Sequence, residues 1–154
     1  MHQQEAIQSD NYLTLDQPGE GLYKEKGSKF IAFAYPAHTV EEAMERVAEL
    51  KTRFHDARHW CFGYRITPLQ PQIRANDDGE PSNSAGTPIY NQIVSADLWN
   101  TIVIVVRYFG GTKLGVSGLI HAYKESAAEA LQNATTKRVF IMEHVEVEFP
   151  YSIM

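Results

Sequence analysis

Arg107-Tyr108-Phe109-Gly110-Gly111-Thr112-Lys113-Leu114-Gly115-Val116-Ser117-Gly118 carries the types and spacing most suited to chemistry in this chain. It follows the pure strand character of Thr101 to Val106 and precedes a helical pattern that begins near Leu119. A strand, a glycine-rich turn with a lysine, and a helix N-terminus together make an anion site. Glycines let backbone N–H groups turn inward, the helix end leaves donors unpaired, and the cation adds charge. The spacing fits neither the Gly-Lys-Ser/Thr phosphate loop nor the dinucleotide fingerprint. A tight connection whose glycines serve turn geometry alone is the plain alternative. A second loop, Asp77 to Gly86, also runs into a helix and carries Asp78, Glu80, Ser82, Ser84 and Gly86. Two such helix starts could converge on one anionic ligand.

Other chemistry is poorly supported by spacing. His55 and His59 are four apart, but His59 belongs to a strand pattern and His55 to the turn before it, so one helix face does not hold both. Asp77, Asp78 and Glu80 offer oxygens to a hard cation, yet lack the repeated ligands of a calcium loop. No nucleophile elbow is legible. Cys61, the one cysteine, lies in an aromatic strand and reads as buried filler. Nothing in these motifs calls for a catalytic group, a metal or a cofactor.

The elements that must position the loops follow from periodicity. Gln17-Pro18-Gly19-Glu20-Gly21 is a turn, and residues 1–20 read as a loosely held arm. Gly21 to Lys26 and Ser28 to Tyr35 form a hairpin around Gly27. Thr39 caps a helix whose Glu42 completes a capping box, with Val40, Met44, Val47, Leu50 and Phe54 on one face. Ala57 to Ile66 alternates Trp60, Phe62, Tyr64 and Ile66 against His59, Cys61, Gly63 and Arg65. Ile73 to Asn76 is a short edge strand, and Thr87-Pro88 caps a helix running to about Asp97. Thr101 to Tyr108 is apolar on both faces and therefore interior. A third helix, from about Gly118 to Thr135, is followed by late strands at Val139 to Ile141 and Val145 to Phe149. The hairpin start and irregular alternation indicate an α+β fold, one layer of mixed sheet with its helices on one face.

The 154 residues suit one domain, and a net charge of −5 disfavours nucleic acid coating the whole surface. Acid is unevenly placed, however. None lies between Asn100 and Lys124, where Arg107, Lys113 and Lys124 sit, so a local positive site is compatible with an acidic chain. No run approaches the ~20 apolar residues of a membrane span, and the polar start shows no signal peptide. With one cysteine, the expected setting is cytoplasmic, with no membrane partner.

The two loops, together with Ala57-Arg58-His59-Trp60-Cys61, resemble the YigZ/IMPACT family in three motifs, in order, over roughly Gly21 to Thr135. The resemblance implies the fold of the second domain of ribosomal protein S-five, shared with GHMP kinases, and a regulatory role near translation through RNA or a ribosome-linked protein. On that reading residues 21–142 are the family's N-terminal domain. Residues 143–154 are then either the start of a truncated ferredoxin-like domain or an added strand. Arg107, Gly110, Gly111, Lys113, Gly115, Ser117, Gly118 and Lys124 would hold the anion, with the second loop and the His59–Arg65 sheet face beside them. Ser117 departs from the family's usual glycine, His121 from its arginine, and Asn83-Ser84 from its Gly-Thr. The alternatives are a phosphate-handling enzyme, with Lys113 and the glycines on phosphate and Asp78 or Glu80 on magnesium, and a protein-interaction module using an open sheet face around His59, Arg65 and Arg107. The final strand is expected to pair with the main sheet, to be disordered, or to pair with a second chain as a homodimer.

Overall fold

The structure, a computed structural model, describes residues 6–7, 9–142 and 145–150. Its elements run β1 (Asn11–Gln17), β2 (Gly19–Glu25), β3 (Ser28–Pro36), α1 (Val40–Arg53), β4 (His59–Ile66), β5 (Gln72–Asn76) and α2 (Gly86–Ser95). They continue with β6 (Leu98–Trp99), β7 (Thr101–Tyr108), α3 (Gly115–Asn133), β8 (Thr135–Met142) and β9 (Val145–Pro150). β7 is the hub. Every residue from Thr101 to Arg107 is buried, which a strand achieves only with a neighbour on each edge and cover on each face. The five-stranded sheet is ordered β2-β3-β7-β4-β5, antiparallel throughout. Register does the positioning: Arg107 stands opposite Phe30 on β3 and opposite His59 on β4, so all three meet at one end of the sheet.

The two faces have separate cores. Phe30, Ala32, Ala34, Cys61, Val103 and Val105 pack with α2 and α3. Phe33, Phe62, Tyr64, Ile102 and Ile104 pack with Ala43, Val47 and Leu50 of α1 on the opposite face. The α+β class stands, but the expected placement of all three helices on one face does not. β3 is apolar on both of its alternating sets, so both faces need cover. An amphipathic stripe on α1 cannot say which face it will find. The capping box of α1 is present, with Glu42 N–H donating to Thr39 Oγ1 at 3.1 Å; the Glu42 carboxylate accepts from the His38 N–H at 2.7 Å.

A second sheet, β6-β1-β8-β9, contains the parallel pair β1–β6 among antiparallel ones. Residues 11–17, expected in a loose arm, are therefore β1, with Tyr12 and Leu15 buried. They pair with β8, which starts at Thr135, four residues earlier than the expected strand at Val139. β9 pairs with β8 of the same chain, in the second sheet rather than the main one. The parts of the arm and of the C-terminal segment at 1–5, 8, 143–144 and 151–154 lie outside the described residues.

Candidate functional site

At the end of the sheet defined by His59 and Arg107, the second loop folds down and buries a carboxylate. Glu80 accepts from Arg107 Nη1 at 2.6 Å and from the Tyr123 hydroxyl of α3, and its other oxygen lies 3.5 Å from His59 Nε2. Both Glu80 and Arg107 are nearly inaccessible to solvent, a placement tolerated only because each satisfies the other. Burial pushes the Tyr123 hydroxyl pKa far up, reinforced by Cys61 and Glu80, so it remains a donor. Burial likewise raises the Cys61 thiol. Its Sγ lies 3.1 Å from the Asp77 carbonyl and 3.4 Å from the Tyr123 hydroxyl, so Cys61 is an inert filler of this network. His59 Nδ1 lies 2.7 Å from the Asp78 carbonyl. A carbonyl can only accept, so Nδ1 carries the hydrogen and Nε2 faces Glu80.

The two helix starts are in opposite states. At α2 the Asp77 carboxylate accepts from the backbone N–H of Asn83 at 2.9 Å, of Ala85 at 3.2 Å and of Gly86 at 2.8 Å. The chain itself supplies the anion there. α2 thus starts at Gly86, not behind a Thr87 cap, because the capping group comes from nine residues upstream. Asp78 is also engaged: its carboxylate accepts from the Trp60 N–H at 2.8 Å.

At α3 no side chain among the described residues caps the first turn, and no acidic residue lies in it. The helix begins at Gly115, three residues before the expected Gly118, and Gly115 has φ +75° with open space where a Cβ would stand. Beside this uncapped turn lies a cleft of about 380 Å³. Lys113 and Arg58 flank it, both exposed, and Glu80, His59 and Arg107 line its interior. Phe109, Leu114, Val116 and Leu119 give it apolar walls. The Arg58 guanidinium sits 5.0 Å from the Phe109 ring centre, and that of Arg107 sits 5.6 Å away.

The family model for the Impact N-terminal domain matches residues 26–131, a span that holds both loops, α2 and most of α3. The chain belongs to the Impact N-terminal domain family. It is 34% identical over 143 residues to the IMPACT family member YvyE of Bacillus subtilis, covering 92% of this chain and 66% of that protein. It is 45% identical over 122 residues to the IMPACT family member in pol 5′region of Thermus thermophilus, covering 79% of this chain and 64% of that one. Among solved structures, the crystal structure of a hypothetical protein aligns over 86% of this chain and 65% of its own, with 31% identity and a TM-score of 0.79. The chain thus spans just under two thirds of the length of each of these three proteins.

Within this Impact N-terminal domain the expected site residues divide. Arg107, Lys113, Gly115 and Glu80 line the cleft together with His59, and Ser117 lies exposed in the adjoining first turn of α3. Gly110 serves packing instead: its N–H donates to Ser28 Oγ at 3.1 Å, and a Cβ there would come 2.1 Å from the Gly27 carbonyl carbon. Gly111, at φ +90°, makes the exposed turn, and a Cβ on Gly118 would press on Leu114. Lys124 is exposed on α3 and is not among the cleft-lining residues. In the second loop Ser82 is exposed, Ser84 Oγ donates to the Pro81 carbonyl, and Gly86 packs tightly on Asn76. Arg65 lies toward the other end of β4, 3.8 Å from the Trp99 ring centre and bonded to the Leu98 carbonyl. The face it was expected to share with His59 and Arg107 is not open, because α2 covers it at Gly63, where a Cβ would meet the Tyr90 backbone at 2.9 Å. Sequence reading missed Arg58 as a site residue, although it sits in the motif beside His59. It also missed Asp77 as a cap, and Tyr123, which reads as one more apolar position of a helix.

Proposed function

We propose that this chain is a translation-associated binding module that holds a phosphate of RNA, or of a ribosome-linked protein, at the uncapped start of α3. The observation that carries the reading is the contrast at the two helix starts: Asp77 fills one, while the other opens beside Lys113 and Arg58. Unpaired N–H groups at a helix end favour negative charge, and two exposed cations at the mouth add to that attraction. Arg107 acts from beneath. It is paired with Glu80, so it shapes the floor rather than supplying a free charge. The translational and cytoplasmic setting is supported by membership of the IMPACT family, whose resemblance implies it; no described helix is long and apolar enough to cross a membrane. The enzyme alternative needs Asp78 or Glu80 for magnesium and draws no support from either, since both are committed to internal partners.

Salt titration of binding to an RNA oligomer tests this. Lys113→Ala is expected to lower the slope of log affinity against log salt by about 0.7 to 0.9, the contribution of one phosphate contact. An unchanged slope would contradict the placement of the anion at this cleft.

A further inference from the structure

We infer that the cleft takes an unpaired nucleotide of single-stranded RNA and that the β2–β3 hairpin tip holds the phosphates beside it. This rests on the cleft being the phosphate site and extends it to a ligand class and a path.

The first argument is the shape and lining of the cleft. A bare phosphate would use the α3 amides, Lys113 and Arg58, and leave the rest of about 380 Å³ without a role. The walls are apolar, with Val116 53% and Phe109 39% exposed. The polar edge of the interior is His59, whose Nε2 lies 3.5 Å from Glu80, set against the internally paired Glu80–Arg107 floor, where the buried Arg107 Nε has no hydrogen-bond partner among the described residues. Flat apolar faces with a polar edge are what a nucleobase presents, and the volume is that of a small-ligand site. In a duplex those edges are turned inward and paired, so only an unpaired base fits.

The second argument is the charge on the hairpin that packs against the loop leading into the cleft. The hairpin turn carries Lys24, Lys26 and Lys29, all exposed, around Gly27. It is locked to the loop that leads into the cleft, because Gly27 packs on Gly110 and Ser28 Oγ accepts from the Gly110 N–H. Lys29 Nζ lies 5.8 Å from the Tyr108 ring centre, next to Phe109 with its covering Arg58. Tyr108 packs on the α1 face, so Lys29 lies round the end of the sheet from the cleft, and a strand that reaches it must cross the hairpin edge. The acidic groups at this end are Glu25 at the end of β2, Glu125 of α3 near Tyr23, Asp56, which accepts from the Tyr108 hydroxyl, and the internally bonded Asp77, Asp78 and Glu80. On a chain of net charge −5 this concentration of positive charge suits a backbone that leaves the cleft and crosses the hairpin.

Fluorescence anisotropy with the full chain decides the matter, using an unstructured RNA oligomer, a duplex of equal phosphate count, heparin and free adenosine monophosphate. The single strand is expected to bind about tenfold tighter than the duplex, the worth of one stacked base. Val116→Trp, which fills the cleft, should erase that preference while keeping the salt slope. Lys26→Asn, which suits the positive φ of that position, combined with Lys29→Gln should lower the slope by about 1.4, two single-strand phosphates. Duplex or heparin binding as tight as the single strand overturns the base in the cleft. Adenosine monophosphate binding as tight as the oligomer, or a wild-type slope in the double variant, overturns the hairpin path. If Lys113→Ala still lowers the slope in those cases, only this inference fails; if no probe shows salt-dependent binding, the phosphate site fails with it.

Discussion

The starts of α2 and α3 look alike as sequence: each is reached through a glycine-containing loop after a strand. In the folded chain they differ by one carboxylate. Asp77 meets three N–H groups at the first, while the second has no side-chain cap. Loop composition alone therefore does not mark an anion site. What marks one is the absence of an internal anion, and that depends on where a residue several positions upstream is aimed.

Changes at the buried floor, at the closed start and at the open start should separate in kind as well as size. The largest effect is expected at the floor they share. Glu80→Ala leaves the Arg107 guanidinium buried without its partner, and should cost about 3–5 kcal/mol in urea unfolding. A loss below about 1 kcal/mol would mean that the pair is not buried in solution. Next is the closed start. Asp77→Ala removes the cap of α2 and should cost about 2 kcal/mol. It should also loosen the loop over Cys61, whose thiol would then be alkylated faster at mild pH. A wild-type labelling rate would contradict the role given to Asp77. The smallest change in stability is expected at the open start. Ser117→Glu places a carboxylate in the uncapped first turn of α3 and should stabilise the chain by about 0.3–1 kcal/mol while weakening RNA binding. Destabilisation together with unchanged binding would show that this helix end is already satisfied.

Much of the frame was legible because it rests on local pattern. β7 is predicted residue for residue, since a strand apolar on both faces can only be interior. The capping box at Thr39 and the hairpin at Gly27 are equally local. The failures are non-local. β1 mixes Asn11, Thr14 and Asp16 among its apolar residues, and its register with β8 shifts between Leu15 and Gln17, so no alternation advertises it. Its partner lies at the far end of the chain. The site was half legible for the same reason. Glycines, Lys113 and the helix start are written contiguously, whereas Glu80 meets Arg107 across 27 positions and Tyr123 across 43. Periodicity also left open which sheet face α1 covers, because both faces are apolar.

The most direct test of the contrast is an amide NMR titration of the full chain with inorganic phosphate, followed at both helix starts. The expected result is a saturable shift at Gly115, Val116 and Ser117 with the Ala85 and Gly86 amides unmoved. Shifts at Ala85 and Gly86, or none at the start of α3, would contradict it.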